Sequence, residues 1–371
     1  MGYELAKKIR ELVPYEPIQG SFPVRLDANE SCIDLNADTP LGDPALEAGR
    51  LRLREKIAAA MGKVALNRYP DPLCAGVCEA FGALYGVPGD WVTAGNGSDE
   101  LIALLMGCLL EGGETVLSLT PDFSMYAFYA VLYERRILCY DKDRAFGIAL
   151  DRVIALAKRE GVRAIVFSNP CNPTGCVLRA EEVRQLCTAL PDCLIVADEA
   201  YMEFCRGPEG YSALPFVGEF DNLVVLKTCS KAIGLAALRL GFAVSNQRLT
   251  RALRAAKSPY NVNSLTQAAA QAVLEEKAFL GAAAEYLIRG REQLEAGVRA
   301  LAGNYPALGE PTASSTNFVF FEVENTEAVW RAMLEKGIAL RCMGNRLRVS
   351  TGTAAENRLF LQALEGVLQG R

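Results

Sequence analysis

From about Leu46 to Lys257 the chain alternates short apolar runs with stretches of helical periodicity. The runs Thr115–Leu119, Ala164–Ser168, Leu194–Ala197, Leu223–Leu226 and Gly241–Val244 are apolar on both faces, as strands buried inside a sheet must be. Between them, Leu101–Leu110, Leu150–Glu160 and Ala180–Leu190 carry apolar residues at helical spacing. This alternation predicts an α/β fold with a mainly parallel sheet covered by helices.

After Pro259 the texture changes. A long helical pattern runs from about Ser264 to Ala302, with Leu287, Leu294, Val298 and Leu301 on one stripe. A strand (Phe318–Val323), a helix (Thr326–Lys336), strands at Ile338–Cys342 and Arg346–Ser350, and a last helix from Ala354 then predict a smaller α/β domain. Before Leu46, Pro14, Pro17, Pro23, Pro40 and Pro44 interrupt any periodicity and predict an extended arm. The expected division is an arm over residues 1–45, a large domain over 46–262 and a small C-terminal domain over 263–371. A ligand cleft between the two domains follows from such an arrangement.

Composition narrows the chemistry. The chain of 371 residues has 39 Lys and Arg against 44 Asp and Glu, a net charge of −5, which disfavours nucleic acid or an anionic membrane as partner. It contains no histidine, so imidazole catalysis, Ser-His-Asp and Cys-His systems and histidine metal sites are all excluded. No metal is expected. The 12 cysteines include no C-x-x-C pair and read as buried free thiols. The start, MGYELAKKIRELV, is amphipathic and not a signal peptide, and the longest apolar run, Ile102–Leu110, is too short to span a bilayer. A cytoplasmic location is the expectation.

Ligands of open α/β sheets bind beyond the carboxyl ends of the strands. Those ends lead into Asn169-Pro170-Cys171-Asn172-Pro173-Thr174-Gly175, Asp198-Glu199-Ala200-Tyr201 and Lys227-Thr228-Cys229-Ser230-Lys231, and Arg239 precedes the next strand. Gly95-Asn96-Gly97-Ser98-Asp99-Glu100 opens the helix Leu101–Leu110, where free amides make an anion site. Singly, each has a structural explanation: a strand-end cap, an Asx turn, a solvated lysine, a capped helix. Together they supply what pyridoxal phosphate requires: an amine for its aldehyde, an anion for its ring nitrogen, and amides, hydroxyls and a cation for its phosphate.

The chain resembles the class I/II aminotransferases of pyridoxal-phosphate fold type I, and among them the histidinol-phosphate aminotransferase family. The resemblance runs from Pro14-Tyr15 and Leu26–Glu30 through Arg68–Asp71, Gly95–Glu100 and Pro121–Tyr126. It continues through Asn169–Gly175, Asp198–Tyr201, Ser230–Gly241 and Pro259–Asn263 to Leu347–Thr353. It implies a mainly parallel sheet of the seven-stranded type in the large domain. It implies Lys231 joined to the cofactor's aldehyde and shuttling the proton, Asp198 on the pyridinium nitrogen, and Tyr201 and Asn172 on the ring's phenolic oxygen. Gly97, Ser98, Asp99, Thr228, Ser230 and Arg239 would hold the phosphate, with Phe123 and Ala200 against the ring faces. Arg348 would clamp the substrate carboxylate, with Tyr15 and Asn172 beside the substrate. Tyr69 would reach the phosphate of a neighbouring subunit, which makes the expected unit a homodimer.

The sequence departs from the family where Ser31-Cys32 follow Glu30, where Phe123 stands for the usual Tyr, and where Ala237 stands for a common Gly. The implied reaction moves an amino group between an L-amino acid, with glutamate expected, and a 2-oxo acid or imidazole-acetol phosphate. Aromatic transamination and a threonine-phosphate-type decarboxylation are the alternatives. A non-catalytic sensor fits poorly with Lys231 in place, and a nicotinamide dehydrogenase lacks its glycine fingerprint. Arg341 and Arg346 are further candidates for holding a phosphorylated substrate.

Overall fold

The computed structural model describes residues 2–10, 12, 18–37 and 40–370. In chain order its elements begin with α1 (Lys7–Arg10), β1 (Val24–Arg25), α2 (Pro44–Met61), α3 (Ala75–Tyr85), β2 (Val92–Gly95), α4 (Gly97–Cys108), β3 (Thr115–Thr120) and α5 (Met125–Leu132). There follow β4 (Arg136–Asp141), α6 (Leu150–Arg159), β5 (Val162–Ser168), α7 (Ala180–Ala189), β6 (Leu194–Asp198), β7 (Leu223–Thr228), β8 (Gly241–Ser245) and α8 (Gln247–Ala256). The remainder comprises α9 (Ser264–Leu274), α10 (Lys277–Asn304), β9 (Phe318–Glu322), α11 (Thr326–Glu335), β10 (Ile338–Ala339), β11 (Arg341–Met343), β12 (Arg346–Ser350) and α12 (Ala354–Leu368).

Strands β2 to β8 form one seven-stranded sheet in the order β2-β8-β7-β6-β5-β3-β4. Only β8 runs against its neighbours, β2 and β7; the other ladders are parallel. The central strands divide by alternate residues between two apolar layers, as the pleat requires. Ile165, Phe167, Ile195, Ala197 and Val225 enter one core, and Ala164, Val166, Val196, Val224 and Leu226 the other. Being apolar on both faces is what made these strands legible.

The runs did not reveal β2 or β4. β4 is an edge strand with its residues exposed or half-buried, so its sequence, RILCYD, has no need of two apolar faces. β2 is buried throughout but only four residues long, and it runs straight into the glycine loop.

The second unit contains the three-stranded antiparallel sheet β11-β12-β9 and the parallel pair β1-β10. The single strand expected at Ile338–Cys342 is two pieces: Ile338 and Ala339 pair with the arm, and Arg341–Met343 turn to pair with β12. The expected single helix over 264–302 is also two. Glu276 leaves the helical region at φ −92, ψ 55, and Lys56 Nζ lies 2.9 Å from carboxylates of both Glu275 and Glu276, tying the break to α2. Helix α9 packs on α2 and α3. Core membership changes within α10: Leu287 and Ile288 belong to the core beneath the large sheet, Leu294, Val298 and Leu301 to that of the small unit.

Helix α12 closes the small core. Thr353 Oγ1 accepts from Glu356 N at 3.3 Å, and the Glu356 carboxylate accepts from Thr353 N at 2.8 Å, a reciprocal cap that fixes where the helix starts. Phe360, on its inner face, has no exposed surface. Replacing it with Ala removes most of a ring from a packed interior, so Phe360→Ala is expected to lower the unfolding free energy by about 3–5 kcal/mol in denaturant titration. A loss under about 1 kcal/mol would mean that α12 is not seated as described.

Candidate active site

The carboxyl ends of β3, β5, β6 and β7 and the start of α4 open onto a cavity of about 330 Å³, the place the topology predicts for a ligand. The small unit completes its wall with Arg341, Met343 and Arg348, and the arm with residues 27–30.

One end is a cradle for an anion. Helix α4 starts at Gly97, whose φ of +80° suits glycine, and a Cβ there would lie 2.7 Å from Arg239 Nη2. Across from it, a Cβ on Gly241 would sit 2.5 Å from Ser98 N, so β8 comes this close to the helix start only because position 241 lacks a side chain. The Arg239 guanidinium lies 3.4 Å from Asp99 Oδ2 and 3.4 Å from Ser230 Oγ. Thr228 Oγ1 donates to Ser230 Oγ at 3.1 Å and accepts from Ser230 N at 3.2 Å. Amides at a helix start, two hydroxyls and a guanidinium thus face one point. Glu100, taken in the sequence only as part of this loop, secures it by accepting from Asn96 N and Asn261 Nδ2 at 2.5 and 2.8 Å.

The floor carries two carboxylates. Asp198, at the end of β6, is 3% exposed. It accepts from Tyr126 Oη at 2.9 Å and from Ala200 N at 3.2 Å. Burial outweighs these bonds and pushes its pKa up to about 7. Asp122 lies nearby, accepting from Ser168, and is backed by the buried Lys142 ammonium at 3.7 Å. Phe123, on the cavity wall, meets the Tyr126 ring edge-on at 5.5 Å.

A lysine amine sits opposite. Lys231 Nζ donates to the Ala28 carbonyl at 2.9 Å and lies 5.9 Å from the Tyr201 ring centre. Desolvation in the cavity, followed by the positive charge of Arg348, pulls its pKa down to about 8. Arg348, on β12, donates to Asn172 Oδ1 at 2.6 Å and to the Asp27 carbonyl at 2.7 Å, with its guanidinium 5.4 Å from the Phe318 ring centre. Asn172 N is in turn held by Ser168 Oγ at 2.9 Å.

Of the residues singled out in the sequence, Ser98, Asp99, Phe123, Asn172, Asp198, Ala200, Tyr201, Thr228, Ser230, Lys231, Arg239 and Arg348 all line this cavity, and Gly97 adjoins it. Tyr69 does not: it is 82% exposed and stacks on Tyr260 at 4.7 Å. Tyr15 lies outside the described residues. The two arginines considered for a phosphorylated substrate separate. Arg341 lines the cavity, whereas Arg346 pairs with Glu322 and lies against the rings of Phe146 and Phe320 at 4.8 and 5.3 Å. Sequence reasoning gave no site role to Tyr126, Asp122, Ser168 or Asn29. They act through other side chains, and only tertiary proximity reveals them. Among the described residues no group of three or more acids and thiols is placed to hold a metal ion, and no helix is long and apolar enough to cross a membrane.

Comparison with known proteins places this geometry. Residues 30–364 match the family Aminotransferase class I and II. A histidinol-phosphate aminotransferase of Clostridium kluyveri is 33% identical over 372 residues, covering 98% of each chain. Histidinol-phosphate aminotransferase 1 of Cupriavidus pinatubonensis is 35% identical over 378 residues, covering 99% of this chain and 94% of that one. Among solved structures, a histidinol-phosphate aminotransferase from Sinorhizobium meliloti in complex with pyridoxal-5'-phosphate superposes with a TM-score of 0.83 at 23% identity, covering 99% and 98% of the two chains. An L-threonine-O-3-phosphate decarboxylase from Porphyromonas gingivalis shares the fold with a TM-score of 0.76 at 21% identity, covering 93% and 99%.

With its pKa near 8, Lys231 is half neutral at a pH where a surface lysine is almost fully protonated. Reductive labelling of the cofactor-free protein with a small aldehyde, followed by peptide mass spectrometry, should therefore reach half its limiting rate at Lys231 near pH 8. A midpoint above 10 would contradict this description of the cavity.

Proposed function

Because the chain belongs to the class I and II aminotransferases, we propose a specific division of labour and a specific substrate pair for this pyridoxal-phosphate-dependent enzyme. The observation that carries the proposal is the meeting of Lys231, Asp198 and Arg348 in one cavity beside the α4 cradle. When bound, pyridoxal phosphate supplies an aldehyde carbon that takes up the amino group and a ring that accepts the electron pair left on the substrate Cα.

The residues present suit that group. Ser98, Asp99, Thr228, Ser230 and Arg239, with the amides following Gly97, would hold its phosphate. Asp198 is a buried carboxylate tending toward neutrality, and a protonated ring nitrogen is the partner that keeps such a group ionised. Asn172 and Tyr201 would face the ring oxygen, and Phe123 and Ala200 its two faces. Lys231 provides the amine and, once released, moves the proton to and from the substrate Cα. Its lowered pKa allows it to be neutral when it must accept. Arg348 would bind the substrate carboxylate through a bidentate pair, already oriented by Asn172 and the Asp27 carbonyl.

For substrates we propose L-glutamate and imidazole-acetol phosphate, interconverting with 2-oxoglutarate and histidinol phosphate. Full-length relatives bearing that activity's name support this, as does the Arg341 cation on the cavity wall. Mixing the holoenzyme with single amino compounds and following its visible absorbance is the test. Histidinol phosphate and glutamate should each bleach the band. Bleaching by Phe or Tyr alone would move the enzyme to aromatic substrates, and release of carbon dioxide from a phosphorylated amino acid would make it a decarboxylase.

The active unit is proposed to be a homodimer. Leu66, Tyr69, Leu73 and Tyr260 are 80%, 82%, 51% and 44% exposed, apolar surface that a second copy would cover. Tyr69 would then reach the phosphate held by the other subunit. The free cysteines suit a reducing cytoplasm. If Tyr69 works across the interface, Lys231→Ala and Tyr69→Ala subunits, each impaired alone, should regain activity when dissociated and reassorted, because one site of the mixed dimer is intact. No recovery in a verified mixed dimer would place Tyr69 elsewhere.

A further inference from the structure

Asn29 belongs to the arm, far in sequence from the cofactor-site residues of the large domain, yet it is 1% exposed and reaches the cavity. Its backbone takes the left-handed conformation, φ 53, which Asn tolerates better than most residues. That backbone is held independently of its side chain. Asn29 N donates to Ser350 Oγ at 2.9 Å, and Asn317 Nδ2 donates to the Asn29 carbonyl at 3.2 Å. The side-chain amide therefore has a separate task.

Its orientation is set from one side. Ser350 Oγ, having accepted from Asn29 N, donates its own proton to Asn29 Oδ1 at 3.0 Å. The other end of the amide, Nδ2, then donates to Tyr201 Oη at 2.9 Å. A phenol has one proton to give. With Asn29 acting as donor to its oxygen, Tyr201 does not spend that proton on Asn29. Arg348, Asp198, Cys171 and Lys231 are the other ionisable groups around this ring.

We infer that Asn29 is a positioning residue that fixes Tyr201 as a hydrogen-bond donor into the cavity, toward the ring oxygen of the cofactor. The inference rests on the proposed placement of that oxygen beside Tyr201. It gives the arm a part in the chemistry: the segment that receives Lys231 at the Ala28 carbonyl also sets the polarity of the phenol next to it. A donor to the ring oxygen stabilises its negative charge. Losing that donor raises the oxygen's affinity for the proton it shares with the lysine nitrogen.

The experiment titrates the visible absorbance of the holoenzyme with pH, comparing the unsubstituted protein, Asn29→Gly, Asn29→Asp, Tyr201→Phe and the Asn29→Gly/Tyr201→Phe double variant. Gly keeps the left-handed backbone and removes the amide. Asp keeps both the backbone preference and the shape but, when ionised, only accepts, so it would draw the phenol proton away. Both Asn29 variants and Tyr201→Phe should raise the apparent pKa of the band by about one unit, a tenfold change in proton affinity. In the Tyr201→Phe background, Asn29→Gly should add nothing.

An unshifted titration in Asn29→Gly, or the same shift persisting without the Tyr201 hydroxyl, overturns the inference. Should Asn29→Gly fail to fold, Asn29→Asp alone decides between the same two results. A protein with no visible band at all, or with the band retained in Lys231→Ala, would instead strike down the proposed function on which this rests.

Discussion

The two cationic side chains at the centre of the site come from different cores, and one short stretch of backbone receives both. Arg348 of the small unit donates to the carbonyl of Asp27, and Lys231, following the large sheet, donates to the carbonyl of Ala28. That stretch is itself fixed at both ends: Leu26 N bonds to the carbonyl of Ala339, Ser350 N to the carbonyl of Leu26, and Asn29 joins Ser350 and Asn317. Asp27 and Ala28 lie in a bend just beyond β1, and the bonds on either side hold their carbonyls in place at little further conformational cost. Remove that stretch and both cations lose an acceptor at once.

Three buried acids near the sheet's carboxyl edge show how the protein separates support from chemistry. Asp122 has Lys142 at 3.7 Å, and Glu199 has Lys227 at 3.2 Å, with further donors from Ser212 and Ala213. These are paired charges, costly to bury and costlier to break, that anchor the loop after β3 and the turn after β6. Asp198 adjoins Glu199 in sequence but is held by a phenol and an amide. Burial raises all three carboxyls, that of Asp198 to about 7, and a cationic ligand beside Asp198 would favour its ionised form.

How much of this could be read from the chain follows from what each feature must do locally. A strand buried on two faces must be apolar at every position, so the central sheet was legible; an edge strand such as β4 is under no such demand and was not. Strand-end residues fall beyond an apolar run, so Asn172, Asp198, Tyr201, Thr228, Ser230 and Lys231 stood out, and their combination, with the family resemblance, pointed to the cofactor. Tyr126 looks like any core aromatic until its hydroxyl is found on Asp198. Nothing in Leu26–Glu30 distinguishes a loop from a bridge, because its contacts lie some 300 positions away, as in the 321-residue separation of Asn29 and Ser350. The helix break at Glu276 is likewise not written in propensity: glutamate favours helix continuation, and the break is met by ion pairs from Lys56 of α2 to Glu275 and Glu276.

The absence of histidine sets the last constraint. Without imidazole, the proposed reaction needs another base that is neutral near physiological pH, and an ordinary lysine is not one. The cavity suits Lys231 to that proposed role by desolvating it and setting it near the positive charges of Arg348 and Arg239, all of which disfavour its ammonium form. Glu30 and Asp99 act in the opposite sense and keep the shift moderate. A carboxylate paired with Arg348 would offset part of the repulsion. The base would then hold a proton more firmly with substrate bound than without. Binding and basicity would thus be linked through one guanidinium, which requires that Arg348, Lys231 and the Asp27–Ala28 backbone between them keep a single arrangement.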